Sequence, residues 1–261
     1  MNLRLAGKRA FVSGSTQGIG YAIAKALLRE GAEVVINGRD AGRVQRAVES
    51  LRAEGAFVEG IAADFADAAQ VRLLLEQLGE VDILVNNVGL FEVTPFQEID
   101  DATWQRYLDI NLMSGVRLSR TLLPEMLARG WGRIIFVSSE SGVNIPADML
   151  HYGVTKAGML ALGNGLAKLT RGTEVTVNSI LGGPTYSDGV ARAVEQIAGA
   201  QGMTTDDLKA AISAGNQTSL VQRFIEPNEI ASLAVYLASP LSSATNGAAV
   251  RADGGVLTGV L

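Results

Sequence analysis

Short apolar runs alternate along this chain with longer stretches in which apolar residues recur every three or four positions. Arg9–Val12 is such a run, and after a glycine-rich interval Ile19, Ala22, Ile23, Ala26 and Leu27 fall at i, i+3, i+4, i+7 and i+8. That spacing predicts strand, turn, amphipathic helix. Gly31 stands where a C-terminal helix cap belongs, and Glu33–Ile36 reads as a second buried strand. A helix near 41–53, a strand at 57–62, a helix at 68–78 and a strand at 81–85 continue the alternation. Repeated strand–helix units predict an α/β fold: a Rossmann-type, doubly wound parallel sheet of about seven strands with helices on both faces.

The second half carries the pattern on with interruptions. A long helical zone covers 103–127 with Pro124 as a kink or local break, and 133–137 reads as the fifth strand. Turn formers fill 141–149, a helix opens at Tyr152 and runs to about Thr170, and 175–180 forms the sixth strand. Between Gly182 and Gln222 the pattern loosens. Thr204 and Asp207 there make a capping box for one short helix with Leu208, Ala211 and Ile212, so 183–222 reads as a mobile lid over a substrate. Pro227 suits the first turn of a helix carrying Ile230, Ala231, Ala234 and Val235, and 248–251 is the expected last strand.

Residues 1–261 fit one large dinucleotide-binding and catalytic domain. A composition that is 48% hydrophobic and only 19% charged suits a sheet covered on both faces. A net charge of −5 with no block of lysine or arginine removes the electrostatic footprint of a nucleic-acid or anionic-membrane partner. No apolar stretch approaches the ~18–20 residues of a spanning helix, and Met1–Arg9 is too short and too charged for a secretory signal. A cytoplasmic protein is expected. The absence of cysteine excludes disulfides, thiol nucleophiles and thiolate metal sites, and His151 is the one imidazole, so no metal centre or Ser-His-Asp triad is expected.

Two groups of residues carry chemistry. The first is Gly14, Ser15, Thr16, Gln17, Gly18, Ile19 and Gly20 between the first strand and first helix. Missing Cβ atoms let backbone approach a pyrophosphate at the positive end of a helix, although a tight turn alone would also use glycine. At the end of the second strand, Gly38 holds the place of the acidic residue that binds ribose hydroxyls in NAD users, and Arg39 follows it. A guanidinium grips a phosphate bidentately and stacks on adenine, which favours NADP(H) over NAD(H); the plain alternative is a solvated surface charge. The second group is Tyr152 with Lys156, four positions apart and so on one helical face. A phenol of reference pKa about 10 is a reluctant proton donor, and a neighbouring ammonium is expected to lower that value.

With Asn86-Asn87-Val88-Gly89, Asn111 and Asp253-Gly254-Gly255 in the same order, the chain resembles the short-chain dehydrogenase/reductase family over nearly its whole length, 3-oxoacyl carrier-protein reductase-like carbonyl reductases in particular. The resemblance implies that Ser139 binds the substrate oxygen, Tyr152 exchanges a proton with it, Lys156 tunes Tyr152 and holds the nicotinamide ribose, and Asn111 organises a water relay. It implies that Asp64, beside Phe65, accepts from the adenine amino group, where a helix N-cap is the bland alternative. Asn87, Val88 and Gly89 would line the ribose side. After the sixth strand the family's Pro-Gly is Gly182-Gly183 here, and either Thr185 or Ser187 would meet the carboxamide. Expected partners are a small carbonyl or alcohol substrate and further copies of the chain in a homotetramer, packed through Ala157, Gly158, Ala161 and Gly163. Fold does not guarantee function, so a catalytically silent dinucleotide-binding regulator is the alternative. His151 adjoins Tyr152 in sequence but points elsewhere on a helix and is read as structural or substrate-lining.

Overall fold

The computed structural model describes residues 2–53 and 57–260; Met1, 54–56 and Leu261 lie outside the described residues. Strands β1 (Arg9–Val12), β2 (Glu33–Gly38), β3 (Val58–Ala62), β4 (Ile83–Asn86), β5 (Trp131–Val137), β6 (Glu174–Gly182) and β7 (Ala249–Ala252) form one sheet in the order β3-β2-β1-β4-β5-β6-β7. Every pairing is parallel. The order reverses between β1 and β4, and the crevice beyond the carboxyl ends of strands at such a reversal is where this architecture binds ligands.

Helices α1 (Gly18–Arg29), α2 (Ala41–Arg52) and α9 (Pro227–Ala238) cover one face of the sheet, while α3 (Ala68–Leu78), α5 (Ser114–Arg129) and α6 (Leu150–Lys168) cover the other. The strand period of two divides the core accordingly. Ala10 and Val12 pack with Ile23, Leu27 and Ile230 on the first face; Phe11, between them in sequence, packs with Leu74, Leu122 and Phe136 on the second. Strands buried on both faces read as continuous apolar runs, which is why the sequence pattern located them.

Caps explain most helix starts. Asp40 Oδ1 accepts from Arg43 N at 2.7 Å at the head of α2, and Asp67 accepts from Ala69 N and Gln70 N at the head of α3. Pro227 occupies the first turn of α9, where a missing N–H costs nothing, and Glu226 and Glu229 complete a capping box. Two expectations need correction. Of the kink or break expected at Pro124, the break is absent: α5 runs on through it, with Pro124 and Arg120, whose carbonyl loses its helical donor, exposed to water. The irregularity lies upstream, where residues 108–113 widen into a π-helical turn between α4 (Asp101–Tyr107) and α5, with Asn111 inside it.

The region 183–222 holds two helices rather than one: α7 (Asp188–Gln201) and α8 (Thr205–Gly215). Thr204 caps α8 as expected, accepting from Asp207 N at 3.1 Å while its hydroxyl donates to Asp207 Oδ2 at 2.7 Å. Helix α7 buries only Val194 and Ala198, against Leu208 of α8.

Candidate active site

The glycine loop after β1 is shaped by close approach. A Cβ on Gly20 would lie 2.4 Å from Asn87 Nδ2 and 2.5 Å from Gly14 O, and Gly14 itself has φ +61°. Three side chains from neighbouring strand ends hold the loop in that shape. Asn87 Nδ2 donates to Ser13 O and Gly14 O, both at 2.9 Å; Ser13 Oγ accepts from Asn87 N at 2.9 Å and Val88 N at 3.1 Å. Asn37, at the end of β2, accepts from Gly14 N at 3.2 Å and donates to Ile61 O at 3.0 Å. Ser15 is turned inward, donating to Val12 O at 2.5 Å and accepting from Asn37 N at 3.0 Å. Of the loop residues it is therefore the one whose hydroxyl braces the turn instead of facing the cleft.

A cleft of about 660 Å³ runs from this loop to α6. Gly14, Thr16, Gln17, Gly18, Ile19 and Gly20 line one end with Ser187 beside Gly18; Arg39, Asp64, Phe65, Asn87, Val88 and Gly89 also line the cleft; Tyr152 and Lys156 reach it from α6. Gln17 gives no side-chain cap to α1, so the first turn of that helix presents N–H groups without the usual hydroxyl or carboxylate of a preceding residue. Gly18 N–H instead donates to Asp188 Oδ2 at 2.5 Å, a carboxylate brought by α7, and Arg192 of α7 donates to Gln17 Oε1 at 3.4 Å. Arg39 is exposed and makes no hydrogen bond or ion pair with the described residues. These features fit a phosphate-bearing dinucleotide: backbone too crowded for side chains, a helix start whose N–H already draws a carboxylate, and a guanidinium at the rim.

Some assignments sharpen. Asp64 is not the cap of α3, which Asp67 supplies; its Oδ1 accepts from Ala66 N at 2.9 Å in a local turn. Thr185 is buried with its hydroxyl donating to Gly183 O at 2.8 Å, so Ser187 is the one of the two on the cleft wall. Gly183 cannot carry a side chain, since a Cβ would lie 2.5 Å from Asp253 O, and it lies behind the wall. Small residues of α6 are partly explained within the chain: Gly163 faces Ser179 Oγ and Phe136, and Gly158 faces Leu112.

At the far end, Lys156 Nζ donates to Val137 O at 2.9 Å and lies 5.5 Å from the centroid of the Tyr152 ring. Helix α6 is fixed there by Ser138 Oγ, which donates to Lys156 O at 3.0 Å, so Ser138 braces while Ser139 remains the serine next to the phenol. Asn111 is fully buried; its Oδ1 accepts from Leu90 N at 2.7 Å and its Nδ2 donates to Leu90 O and Thr155 Oγ1, both at 3.0 Å. Thr155 in turn donates to Tyr152 O at 2.7 Å. His151 is buried against the Tyr107 ring at 4.0 Å, its nitrogens unpaired and its pKa lowered by burial, as suits packing and not proton transfer.

The electrostatics correct one expectation. Tyr152 is pushed up, not down, by burial, with Glu140 and Tyr107 adding to the rise and a hydrogen bond to Ser139 opposing it. Lys156 is itself pushed down to about 8 by burial, with Glu140 resisting. Spacing along a helix reports that two groups are neighbours but not what removing both from water costs. Sequence reasoning also passed over Asn37, Ser13 and Thr155 as braces. The detectable signal was a polar residue interrupting an apolar run just before a glycine, as in Val34-Val35-Ile36-Asn37-Gly38.

Comparison with known proteins agrees with this geometry. The family profile described as short chain dehydrogenase matches residues 8–198. The chain is 44% identical over 261 residues to the uncharacterized oxidoreductase YvrD of Bacillus subtilis, covering 98% of this chain and 99% of that one. It is 34% identical over 255 residues to D-beta-hydroxybutyrate dehydrogenase of Cupriavidus necator, covering 96% and 98%. Among solved structures, L-sorbose reductase from Gluconobacter frateurii, complexed with NADPH and L-sorbose, superposes with a TM-score of 0.95 at 31% identity over 100% of both chains. A parallel sheet with its cleft at the β1/β4 reversal, a Tyr152/Lys156 pair on that cleft and relatives matched end to end lead to one conclusion: the chain belongs to the short-chain dehydrogenase/reductase family of NAD(P)-dependent oxidoreductases.

Proposed function

We propose that the chain is an NADP(H)-dependent oxidoreductase interconverting a ketone or aldehyde and its alcohol, with 3-oxoacyl compounds or related ketones as its substrate class. The observation that carries this reading is the shared cleft: the glycine loop, Arg39, Tyr152 and Lys156 all open onto it. Gly14 to Gly20 and Asn87 to Gly89 would hold the dinucleotide, Arg39 its ribose phosphate, Asp64 and Phe65 the adenine, and Ser187 the carboxamide. When bound, the nicotinamide supplies or accepts a hydride at the carbonyl carbon. Tyr152 gives its phenolic proton to the substrate oxygen in reduction and takes it back in oxidation. Lys156, as a cation, stabilises the phenolate left behind, and Ser139 donates a hydrogen bond to the oxygen as charge develops on it. The names of the relatives support a hydroxyl or keto substrate, and the NADPH of the sorbose reductase structure supports the phosphate-bearing nucleotide. For assembly we favour a homotetramer built on α6, whose outer face exposes Val154, Ala161 and Gly165.

The test is a panel of ketones, 3-oxoacyl thioesters and keto sugars, followed by nicotinamide absorbance with NADPH and NADH in parallel. Turnover with a preference for NADPH is expected. Tight nucleotide binding with no turnover of any ketone or alcohol would overturn the proposal in favour of a silent binding protein.

A further inference from the structure

Ser139, at the carboxyl end of β5, has little hydrogen-bonding capacity left to offer a substrate. A hydroxyl carries one proton and two lone pairs. The Ser141 N–H takes one lone pair at 3.1 Å, and the proton goes to Glu140 Oε2 at 2.5 Å. What remains is a lone pair, which faces the Tyr152 phenol that Ser139 also hydrogen-bonds and which accepts and cannot donate. While Glu140 is ionised, the serine is therefore closed to the task of donating to a carbonyl oxygen.

Protonation of Glu140 reverses the sense of that contact. A carboxylic acid donates its own proton to Ser139 Oγ and leaves the serine hydrogen free to turn toward the substrate. Surroundings favour the acid: Glu140 lies largely out of water between Ser139 and Ser141, and its other oxygen, Oε1, accepts from Ser141 Oγ at 3.3 Å. Burial raises its pKa against the pull of those hydrogen bonds. The titratable groups acting from the packed elements are Tyr152 and Lys156 on α6 and, behind Tyr152, Tyr107 on α4.

We propose that Glu140 is a positioning residue for Ser139: its carboxyl must carry a proton for Ser139 to donate to the substrate oxygen. This rests on the carbonyl–alcohol reading above. Through the reaction Tyr152 exchanges its proton with the substrate oxygen, whereas Ser139 and Glu140 each keep theirs and only the partner of the serine hydrogen changes. By microscopic reversibility the same protonated form serves reduction and oxidation. A carboxyl beside the serine thus makes the oxygen-binding donor conditional on pH, and the ionised form lacks one donor to the developing oxyanion, a loss of about 10²-fold.

The experiment is the pH dependence of kcat/KM for ketone reduction at saturating NADPH, for the wild type, Glu140→Gln and Glu140→Asp. The wild type should fall about 10²-fold through a step additional to that of Lys156. Glu140→Asp should keep that step and Glu140→Gln should lack it, whereas a merely structural role would lower activity by one factor at every pH. An identical profile in active Glu140→Gln enzyme overturns the proposal alone; wild-type protein inert with every ketone and both nucleotides overturns the site reading and this proposal with it. Should Glu140→Gln fail to fold, infrared difference titration of the wild type, assigned by the shift in Glu140→Asp, decides. A protonated-carboxyl band persisting above the range where exposed carboxylates ionise supports the proposal, and its absence overturns it.

Discussion

Two walls of the cleft are held by different means. At the nucleotide end, backbone is tied by buried or part-buried amides and hydroxyls: Asn87 to Ser13 O and Gly14 O, Asn37 to Gly14 N, Ser15 to Val12 O. Beside it, α7 and α8 share a small apolar cluster of Val194, Ala198 and Leu208, and α7 meets the glycine loop through Asp188 and Arg192. Each buried amide would lose about 1–3 kcal/mol if its partner were left unpaired, so the first end has one shape. Contacts at the second are fewer and partly solvated, so its local stability is lower. The contrast sets a rigid wall, the glycine loop and its braces, beside an adjustable wall, α7 and α8, that touches the loop through Asp188 and Arg192.

Tyr152 lies between the two walls, and its removal should affect neither. Tyr152→Phe is expected to lower kcat by 10²–10⁴-fold or more while leaving nucleotide affinity within a few-fold, read by steady-state kinetics and a binding titration. A large loss of affinity would show that the phenol also shapes the nucleotide wall. In the same assay, kcat/KM for a ketone should decline as pH rises through about 8, because Lys156 is cationic below that value and neutral above it. Breaking the rigid wall comes next in size. Asn87→Ala leaves Ser13 O and Gly14 O without their side-chain donor, and a loss of about 1–3 kcal/mol in urea unfolding is expected together with weakened nucleotide binding. Unchanged stability would mean the loop keeps its shape without the amide.

Arg39→Asp tests the rim. If the rim guanidinium binds the ribose phosphate as proposed, replacing it by a carboxylate should shift the NADPH/NADH ratio of kcat/KM toward NADH by roughly tenfold or more, from the ~1.5–3 kcal/mol of a charged hydrogen bond. The smallest effect is expected at the adjustable wall. Asp188→Ala removes the carboxylate from Gly18 N–H, where a nucleotide phosphate would compete for the same donor, so the dissociation constant of NADPH should fall a few-fold. Weaker binding instead would place Asp188 among the groups that hold the lid closed on the ligand.

The same contrast governs how much the sequence disclosed. Strands and helices against the sheet were legible because burial on a period of two or near four leaves its mark on residue type, as with Ala10, Phe11 and Val12 or Ile23 and Leu27. The glycine loop was legible because absent side chains are themselves a pattern. Helix α7 was not, since Asp188–Gln201 buries only Val194 and Ala198 and carries Gly189 and Gly199, which read as loop residues. The braces Asn37 and Asn87 are long-range partners of a loop more than twenty residues before them, and spacing carries no record of such contacts. Nor does spacing weigh dehydration, which is why Tyr152 and Lys156 were brought together while the rise that burial imposes on the phenol was not foreseen.

Asn111 pairs with both the N–H and the C=O of Leu90, the way a residue of an adjoining strand would. A side-chain amide thereby stands in for backbone and prolongs the ladder past the end of β4, out to the lip where Phe91 is exposed. The same amide touches Thr155, and through it the carbonyl of Tyr152. Leu90 at that lip and the peptide unit of Tyr152 are thus joined through two side chains, so a displacement of the one would strain the other.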